Sequence, residues 1–515
     1  MTDATLPALI QQMLEPGFYP YPVQAPIRLM QTHCSYVLLT GDRVYKLKKP
    51  VNFGFLDYST LEKRQHFIQE ELRLNQRGAA PLYRRALPIV LEGDRYRLAD
   101  GPADWTLEPV EWCLEMVQFP DAALLSAEFE AGTVTPELLA RLARAIADFH
   151  RVAAVNDHIR SYGSVERIRE AFDQNYDQTA GYIGGPQTQA RYEATKAYSD
   201  AFFERADLFA ARVAADKVRE CHGDLHLGNI CHWNDTLYLF DCIEFNEPFR
   251  FVDTMYDLAF LAMDLDARGR SDLATVVRNA YCEETGDWEG LAVLPLYLSR
   301  QAYVRAKVTS FLLDDPAIPA DVKQQSFERA QHYYELAHRY TERRPGRLFI
   351  TNGHSGSGKS TVARALAART GAVHLRSDAV RKHLVGVPLR EQAPQSAYRP
   401  EITEATYARL QELGLKLVAE GYDVILDATY DRQAPRAAVI TAAEAAGIPL
   451  TILHCQAPEA VLRQRVSDRQ GDIADATVAV LENQLAGAEP LTAEEAAIAV
   501  TIDTTGDIET QLAAI

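Results

Sequence analysis

Cysteine is scarce in this chain and poorly placed for any covalent framework. Seven cysteines occur in 515 residues, at positions 34, 113, 221, 231, 242, 282 and 455, and no two form a CxxC pair. An odd, scattered set excludes a disulfide scaffold and fits reduced thiols. Long apolar runs are missing as well, so nothing approaches the roughly 18 residues of a membrane span. The start, MTDATLPALIQQML, carries an acid where a secretory leader carries basic residues. The reading is a cytoplasmic protein with no membrane partner. Excess positive charge is also lacking: 53 Lys+Arg face 71 Asp+Glu, a net charge of −18. The deficit is spread along the chain, with 16 against 21 from residue 347 onward and 37 against 50 before it. That argues against a long nucleic acid as partner, while a local basic cleft could still hold one phosphate.

Apolar patterns of strand and helix period alternate throughout, which predicts mixed α and β structure in two domains. The clearest joint is TERRPGR, residues 341–347. An amphipathic segment, Val322 to Arg343, precedes it, and the short apolar run RLFIT follows it. The expected domains are residues 1–345 and 346–515. In the first, YVLLTGDRVYKLKK (36–49) reads as a hairpin, STLEKRQHFIQEELRLNQR (59–77) as a helix capped by Ser59 or Thr60, and EPVEWCLEMVQF (108–119) as a strand. Many helices follow. The order is a small β-rich lobe and then a large helical one.

RECHGDLHLGNICH, residues 219–232, holds two cysteines and three histidines. A zinc site would need about four ligands at workable spacing. Cys221, His226, Cys231 and His232 match no finger or knuckle, and Asp224, Gly228 and Asn229 would be left over. A kinase loop explains more of these residues. Phosphoryl transfer needs a carboxylate for the acceptor hydroxyl and a magnesium ligand close behind it. Asp224 and Asn229 have that separation. LYLFDCIEF then supplies Asp241 after an apolar run, and 230–240 is expected to be a hairpin returning Asp241 beside Asn229. Upstream, Lys46 on the second strand of the first hairpin can reach the phosphates, with Lys48 on the same face as a possible substitute. Val44 on that face and Met116 on the later strand are candidate contacts for the nucleotide base. Glu70 on the following helix is the expected partner of Lys46, ahead of Glu71.

These residues, with His222-Gly-Asp-Leu-His-Leu-Gly-Asn229, resemble the aminoglycoside phosphotransferase family over roughly residues 25–340. The resemblance implies a two-lobed protein-kinase-like fold and ATP-dependent phosphorylation of a small-molecule hydroxyl. It implies Asp224 as catalytic base and Asn229 and Asp241 as magnesium ligands. The chain departs from protein kinases at THCS (32–35), where a glycine-rich loop would stand, and at Cys242-Ile243 after the metal aspartate. Glu244 is close enough in sequence to assist the metal. Asp253 and Asp257 read as structural.

Residues 353–360, Gly-His-Ser-Gly-Ser-Gly-Lys-Ser, are a complete GxxxxGK[ST] loop between a strand and the helix TVARALAART. Gly353, Ser355, Gly356, Ser357, Gly358 and Thr361 are read as its phosphate cradle, Lys359 as the β- and γ-phosphate contact, and Ser360 as a magnesium ligand. HLRSDAVRKHL places Asp378 and Arg381 three apart after a short strand. GYDVILDATY ends a buried strand on Asp427, suited to the metal. APEAVLRQRVSDRQGD carries Arg463, Arg465 and Arg469, which could close over the transferring phosphoryl group; a solvated helix face is the plainer alternative. This half resembles the small P-loop kinases, the gluconate kinase-like, polynucleotide kinase-like and zeta toxin-like proteins, over about residues 346–510. The resemblance implies Asp378 as base toward the acceptor and Arg381 as the contact for an anionic group on it.

The expectation is a bifunctional kinase with ATP and Mg2+ in both halves and small-molecule acceptors. Three alternatives stay open. The second half could phosphorylate a nucleic-acid end or a nucleotide sugar. One half could be a nucleotide sensor for the other. The chain could be an antibiotic-resistance enzyme, although no aminoglycoside-specific signal stands out.

Overall fold

A computed structural model describes residues 6–101, 107–316, 318–468, 471–513 and 515. The chain falls into two compact units. The first comprises Met1–Thr135, Asp148–Ile168 and Phe209–Leu261, and the second Pro136–Ala147, Arg169–Leu208 and Ala262–Ile515. Among the described residues no helix is long and apolar enough to cross a membrane.

The first unit is built on a six-stranded antiparallel sheet. Its strands are β1 (Arg28–Gln31), β2 (Ser35–Leu39), β3 (Arg43–Lys48), β4 (Tyr83–Glu92), β5 (Arg95–Leu98) and β6 (Glu111–Val117), in the order β1-β2-β3-β6-β4-β5. The first hairpin pairs Lys46 with Val37, and β3 pairs Val44 with Met116 on β6. Helix α1 (Leu61–Ala79) starts where expected: Thr60 caps it by accepting a hydrogen bond from Lys63 N. Its buried residues include Arg64, Ile68, Glu71 and Asn75, spaced at the helical period. They turn one face of the helix toward the sheet. The rest of this unit carries β7 (Val218–Glu220), the hairpin β8 (Ile230–Trp233) and β9 (Thr236–Leu239), and β10 (Phe251–Asp253), followed by the first half of α2 (Thr254–Ala267), whose second half belongs to the other unit.

The second unit contains the long helices α3 (Ser271–Thr285), α4 (Leu294–Asp314) and α5 (Ala320–Arg339). It also holds a five-stranded parallel sheet of β11 (Leu348–Asn352), β12 (Val373–Arg376), β13 (Val424–Asp427), β14 (Leu450–Gln456) and β15 (Ala499–Asp503), ordered β12-β13-β11-β14-β15. β11, β12 and β13 are buried at every position, as strands covered on both faces must be. α6 (Lys359–Thr370), α7 (Ser377–Val385), α8 (Pro400–Ala419), α9 (Gln433–Ala445), α10 (Glu459–Ser467) and α11 (Val478–Gly487) flank this sheet or its loops. The edge strand β12 is not left open. Asn279 of α3 donates from Nδ2 to Ala372 O at 3.0 Å and accepts from His374 N at 3.2 Å, so one side-chain amide stands in for a missing strand.

Candidate active sites

In the first unit the sheet and the β8–β9 hairpin gather the charged groups. Lys46 Nζ lies 2.7 Å from Glu71 Oε1 and 2.6 Å from Asp241 Oδ1. This corrects the pairing expected from sequence. Glu71 holds Lys46, and Glu70 is turned to Arg73 at 2.8 Å. Successive helical residues point about 100° apart, so only one of the two can face the strand. Lys48 does not substitute for Lys46. It is buried between Glu71 Oε2, at 2.5 Å, and Glu244, which Tyr58 also bonds. Glu244 therefore braces Lys48.

Asp241 sits just past the hairpin. Phe240 N donates to Asn229 O at 3.1 Å, which brings Asp241 and Asn229 to the same end of the ladder, as the spacing predicts. Its backbone is left-handed, with φ of 64° in a non-glycine residue, a strain that functional sites often store. Tyr83 OH accepts from its N–H at 3.0 Å and steadies that conformation. Burial pushes the Asp241 carboxyl up, but the neighbouring Lys46 ammonium outweighs it and holds the carboxyl below its ordinary value. Asn229 Nδ2 donates to Asp224 O at 2.9 Å and Oδ2 at 3.1 Å. That leaves the amide oxygen of Asn229 and the Asp241 carboxylate as hard oxygen donors, the set magnesium takes.

The loop bearing Asp224 is fixed from behind. Asp257 accepts from His222 N at 2.7 Å and Gly223 N at 2.8 Å, and His150 Nε2 lies 3.1 Å from the same carboxylate. His222 Nε2 donates to Phe240 O at 2.8 Å, so its Nδ1 is the acceptor for Asp224 N at 3.3 Å. Burial lowers the His222 pKa, consistent with this neutral tautomer. Gly223 is required here: at φ +87° an added Cβ would lie 2.6 Å from Phe249 O. Asp253 pairs with Arg212 at 2.6 Å. The cysteines of this loop are buried, Cys221 donates to Val252 O at 3.4 Å, and His232 pairs with Glu128 at 3.0 Å. Val44 and Met116, cross-strand neighbours, lie in one buried cluster with Leu114 and Cys231.

In the second unit the loop Gly353–Ser360 joins β11 to α6. Added Cβ atoms would lie 2.5 Å from Cys455 O at Gly353, 2.6 Å from Leu462 O at Gly356 and 2.9 Å from Thr504 at Gly358, all at positive φ. Only glycine allows the loop to pack this closely at these positions. Lys359 Nζ folds back on His354 O at 2.7 Å, and Ser355 N donates to Gln484 Oε1 at 2.8 Å. Thr361 N returns to Gly358 O at 3.0 Å at the first turn of α6. Asp427, at the end of β13, lies 2.9 Å from His374 Nε2 and accepts from Thr351 Oγ1 at 3.3 Å, with the Ser360 hydroxyl beside it. Burial raises its carboxyl, yet the bond from His374, the charge of Arg376 and the nearby Ser360 hydroxyl hold it far below its ordinary value. A hydroxyl beside an ionised carboxylate at the mouth of this loop fits magnesium.

Asp378 opens α7 beside Arg376 and Arg381. Burial raises its pKa, and those two arginines oppose the rise. Arg381 is buried, donates to Ala397 O at 2.9 Å and Thr403 Oγ1 at 3.1 Å, and keeps an unpartnered Nε. The arginine cluster is corrected in part. Arg463, with its side chain 40% exposed, is paired at 2.8 Å with both Glu459 and Glu482. Its helical neighbour Arg465 meets the phosphate loop instead, donating to Gly356 O at 3.3 Å and Thr504 Oγ1 at 2.8 Å. Arg469 lies outside the described residues.

The phosphotransferase enzyme family model matches residues 111–294 and an AAA domain model matches 348–491. The uncharacterized protein Rv2004c of Mycobacterium tuberculosis is 30% identical over 461 residues, covering 88% of each chain. Among solved structures, a choline/ethanolamine kinase family protein from Mesorhizobium loti covers 65% of this chain and 97% of its own, at 12% identity and a TM-score of 0.37. A sugar kinase from Janibacter covers 33% and 91%, at 24% identity and a TM-score of 0.25. The two domains are a kinase-like phosphotransferase domain and a P-loop kinase domain, which supports ATP-dependent phosphotransfer in general.

Proposed function

This chain, which belongs to one family with the mycobacterial protein Rv2004c, is, we propose, a bifunctional kinase that phosphorylates small-molecule hydroxyls at two separate ATP sites. The observation that carries this reading is that each unit assembles its own cation and carboxylate set. One has Lys46 between Glu71 and Asp241. The other has Lys359 on the glycine loop and Ser360 beside the buried Asp427, itself 2.9 Å from His374. Neither set borrows from the other.

In the first unit Lys46 orients the donor phosphates and Asp224 receives the acceptor hydroxyl's proton. Asn229, bonded to Asp224, keeps that carboxylate aimed. In the second unit the loop N–H groups and Lys359 hold the phosphates, Asp378 takes the proton and Arg381 meets an anionic group on the acceptor. Bound magnesium, held by Asn229 and Asp241 or by Ser360 and Asp427, supplies charge neutralisation at the phosphates. Positioning and preorganised charge provide most of the rate. The net charge of −18 supports small acceptors over long nucleic acid.

The test uses γ-labelled ATP, magnesium and a small-molecule extract of cells with wild type, Asp224→Ala and Lys359→Ala. Two labelled products, or one doubly labelled product, should disappear separately in the two variants. Loss of both in either variant would end the idea of two independent sites.

A further inference from the structure

A cavity of about 670 Å³ lies wholly within the second unit, and none of its lining residues belongs to the phosphate loop or to the helix that carries Asp378. Its walls come from α3, α4, the end of α5, the last turn of α6, the segment before β13 and the helix Gln189–Phe203. Arg343 and Arg344 of the TERRPGR stretch complete it. The volume is that of a small-molecule site.

Five arginines line this cavity: Arg278, Arg339, Arg343, Arg344 and Arg369. Acids line it too, but they are engaged elsewhere. Glu420 is gripped by Arg205 at 2.5 and 3.0 Å, and Asp423 pairs with Arg347 at 2.9 Å; neither arginine lines the cavity. Asp266 accepts from the Tyr340 hydroxyl at 2.5 Å, and Glu342 faces His338 at 3.6 Å. The lining arginines meet carbonyls instead. Arg278 Nη2 donates to Gly371 O at 2.7 Å, Arg344 Nη2 to Thr370 O at 3.4 Å and Arg369 Nη2 to Ala513 O at 3.0 Å. A carbonyl does not neutralise a guanidinium, so positive charge is left in surplus. Arg278 and Arg344 have a structural duty, since they cap the last carbonyls of α6. Arg339 and Arg343 have no such duty. Arg343 reaches Glu420 only at 3.7 Å, and the Arg339 side chain makes no hydrogen bond or ion pair among the described residues. Arg278 also keeps a buried Nε without a partner, a donor that a bound acceptor would satisfy.

The rest of the wall is aromatic and apolar. Tyr198, Phe202 and Tyr422 stand with Leu294, Pro295 and Leu298. The Arg278 guanidinium lies 5.6 Å from the centre of the Tyr422 ring. The Arg343 charge acts on the Tyr198 phenol, which burial pushes up to about 12. Charge and rings therefore share one chamber. Guanidinium groups bind phosphate oxygens through paired N–H donors, and aromatic rings stack on planar bases.

We propose that this cavity is a nucleotide site separate from both phosphate-transfer sites, with the ligand's phosphates toward Arg339 and Arg343 and its base among Tyr198, Phe202 and Tyr422. It does not depend on what either transfer site phosphorylates.

The test counts labelled ADP bound per full chain by equilibrium dialysis, up to about 1 mM free ADP. Wild type should bind one ADP more per chain than Arg339→Glu/Arg343→Glu. Both arginines are exposed, so the fold should survive the change. The neutral pair Arg339→Gln/Arg343→Gln, which adds no repulsion, should weaken the extra site by about tenfold or more. Tyr198→Ala should weaken it likewise. The difference of one should persist in a Lys359→Ala background. Equal binding in wild type and both arginine pairs would overturn the proposal. So would loss of the difference in the Lys359→Ala background, since the ligand would then belong to the phosphate loop. Full-strength binding in Tyr198→Ala would overturn it as well, because the site would then hold a bare anion and no base.

Discussion

Glu71 fastens two lysines at once: its Oε1 lies 2.7 Å from Lys46 Nζ and its Oε2 lies 2.5 Å from Lys48 Nζ. The carboxylate is fully buried. Both ammonium groups are thereby compensated, and Lys46 alone keeps a side facing Asp241. Burial works against the charge on Lys46, but Asp241 and Glu71 raise its pKa well above the ordinary lysine value, so it stays protonated.

Glu71→Gln should therefore be far more harmful than Glu70→Gln. Removing the shared buried carboxylate should destabilise the first unit by about 3 kcal/mol, because two buried cations lose a partner. Glu70 lies in a more exposed pair with Arg73, and its loss should cost less than about 1 kcal/mol. Denaturant unfolding and initial rates of the first unit's transfer read both effects. Equal losses would show that the helix presents both acids to Lys46.

Asp257→Asn should loosen the loop that carries Asp224. The carboxylate holds two backbone N–H groups and faces His150, and an amide can accept for only one of them at full strength. A cost of about 2 kcal/mol is expected. Burial raises the Asp257 pKa, but His150 and His222 more than offset it, so the folded value is depressed. Its stabilisation is then complete above the ordinary aspartate value of about 3.9 and fades as pH falls through the lower folded value. Wild type should lose this contribution only in strong acid, and Asp257→Asn should flatten that limb of the stability profile.

Much of this arrangement is legible in the residues. The spacing of Asp224, Asn229 and Asp241 forces a hairpin, and the hairpin is there. The glycine loop announces itself because its backbone geometry admits little else. The choice between Glu70 and Glu71 was harder, since adjacent helical residues differ only in phase. The phase was nevertheless available: Arg64, Ile68, Glu71 and Asn75 repeat at the helical period and share the buried face. Arg463 and Arg465 pose the same problem on a shorter helix, where Glu459 one turn earlier draws Arg463 outward. The part played by Asn279 leaves no mark in sequence. A helix far upstream lends one amide to an edge strand, and no local pattern encodes that pairing.

Asn279→Ala should expose the edge of the parallel sheet. Ala372 O and His374 N each lose a partner, at about 1 kcal/mol per bond. Hydrogen exchange at His374 should quicken while exchange in β11 stays slow. His374 also bonds Asp427, so the loosened strand should weaken magnesium-dependent nucleotide binding in this unit alone. Unchanged exchange at His374 would mean that α3 does not hold the strand.

The pH profile of the second unit tests Asp378, the proposed base, directly. Burial raises the Asp378 pKa, Asp427 and Asp472 raise it further, and Arg376 and Arg381 pull it down. A base must be ionised to act, so transfer should rise with pH through an inflection above about 3.9, measured in an Asp224→Ala background. The sign for stability is opposite. A raised folded pKa favours the folded state below the ordinary value, and that contribution is lost as pH rises through the folded value. Arg376 Nη2 lies 2.5 Å from Asp472, and its buried position near Asp378 makes it the main counter-charge. Arg376→Gln should therefore move the inflection upward and lower the rate at neutral pH, whereas Asp378→Asn should remove the inflection and cut transfer by about 10²-fold or more. An Arg376→Gln profile that keeps the wild-type inflection would assign the ionisation to another group and leave Asp378 without its role as base.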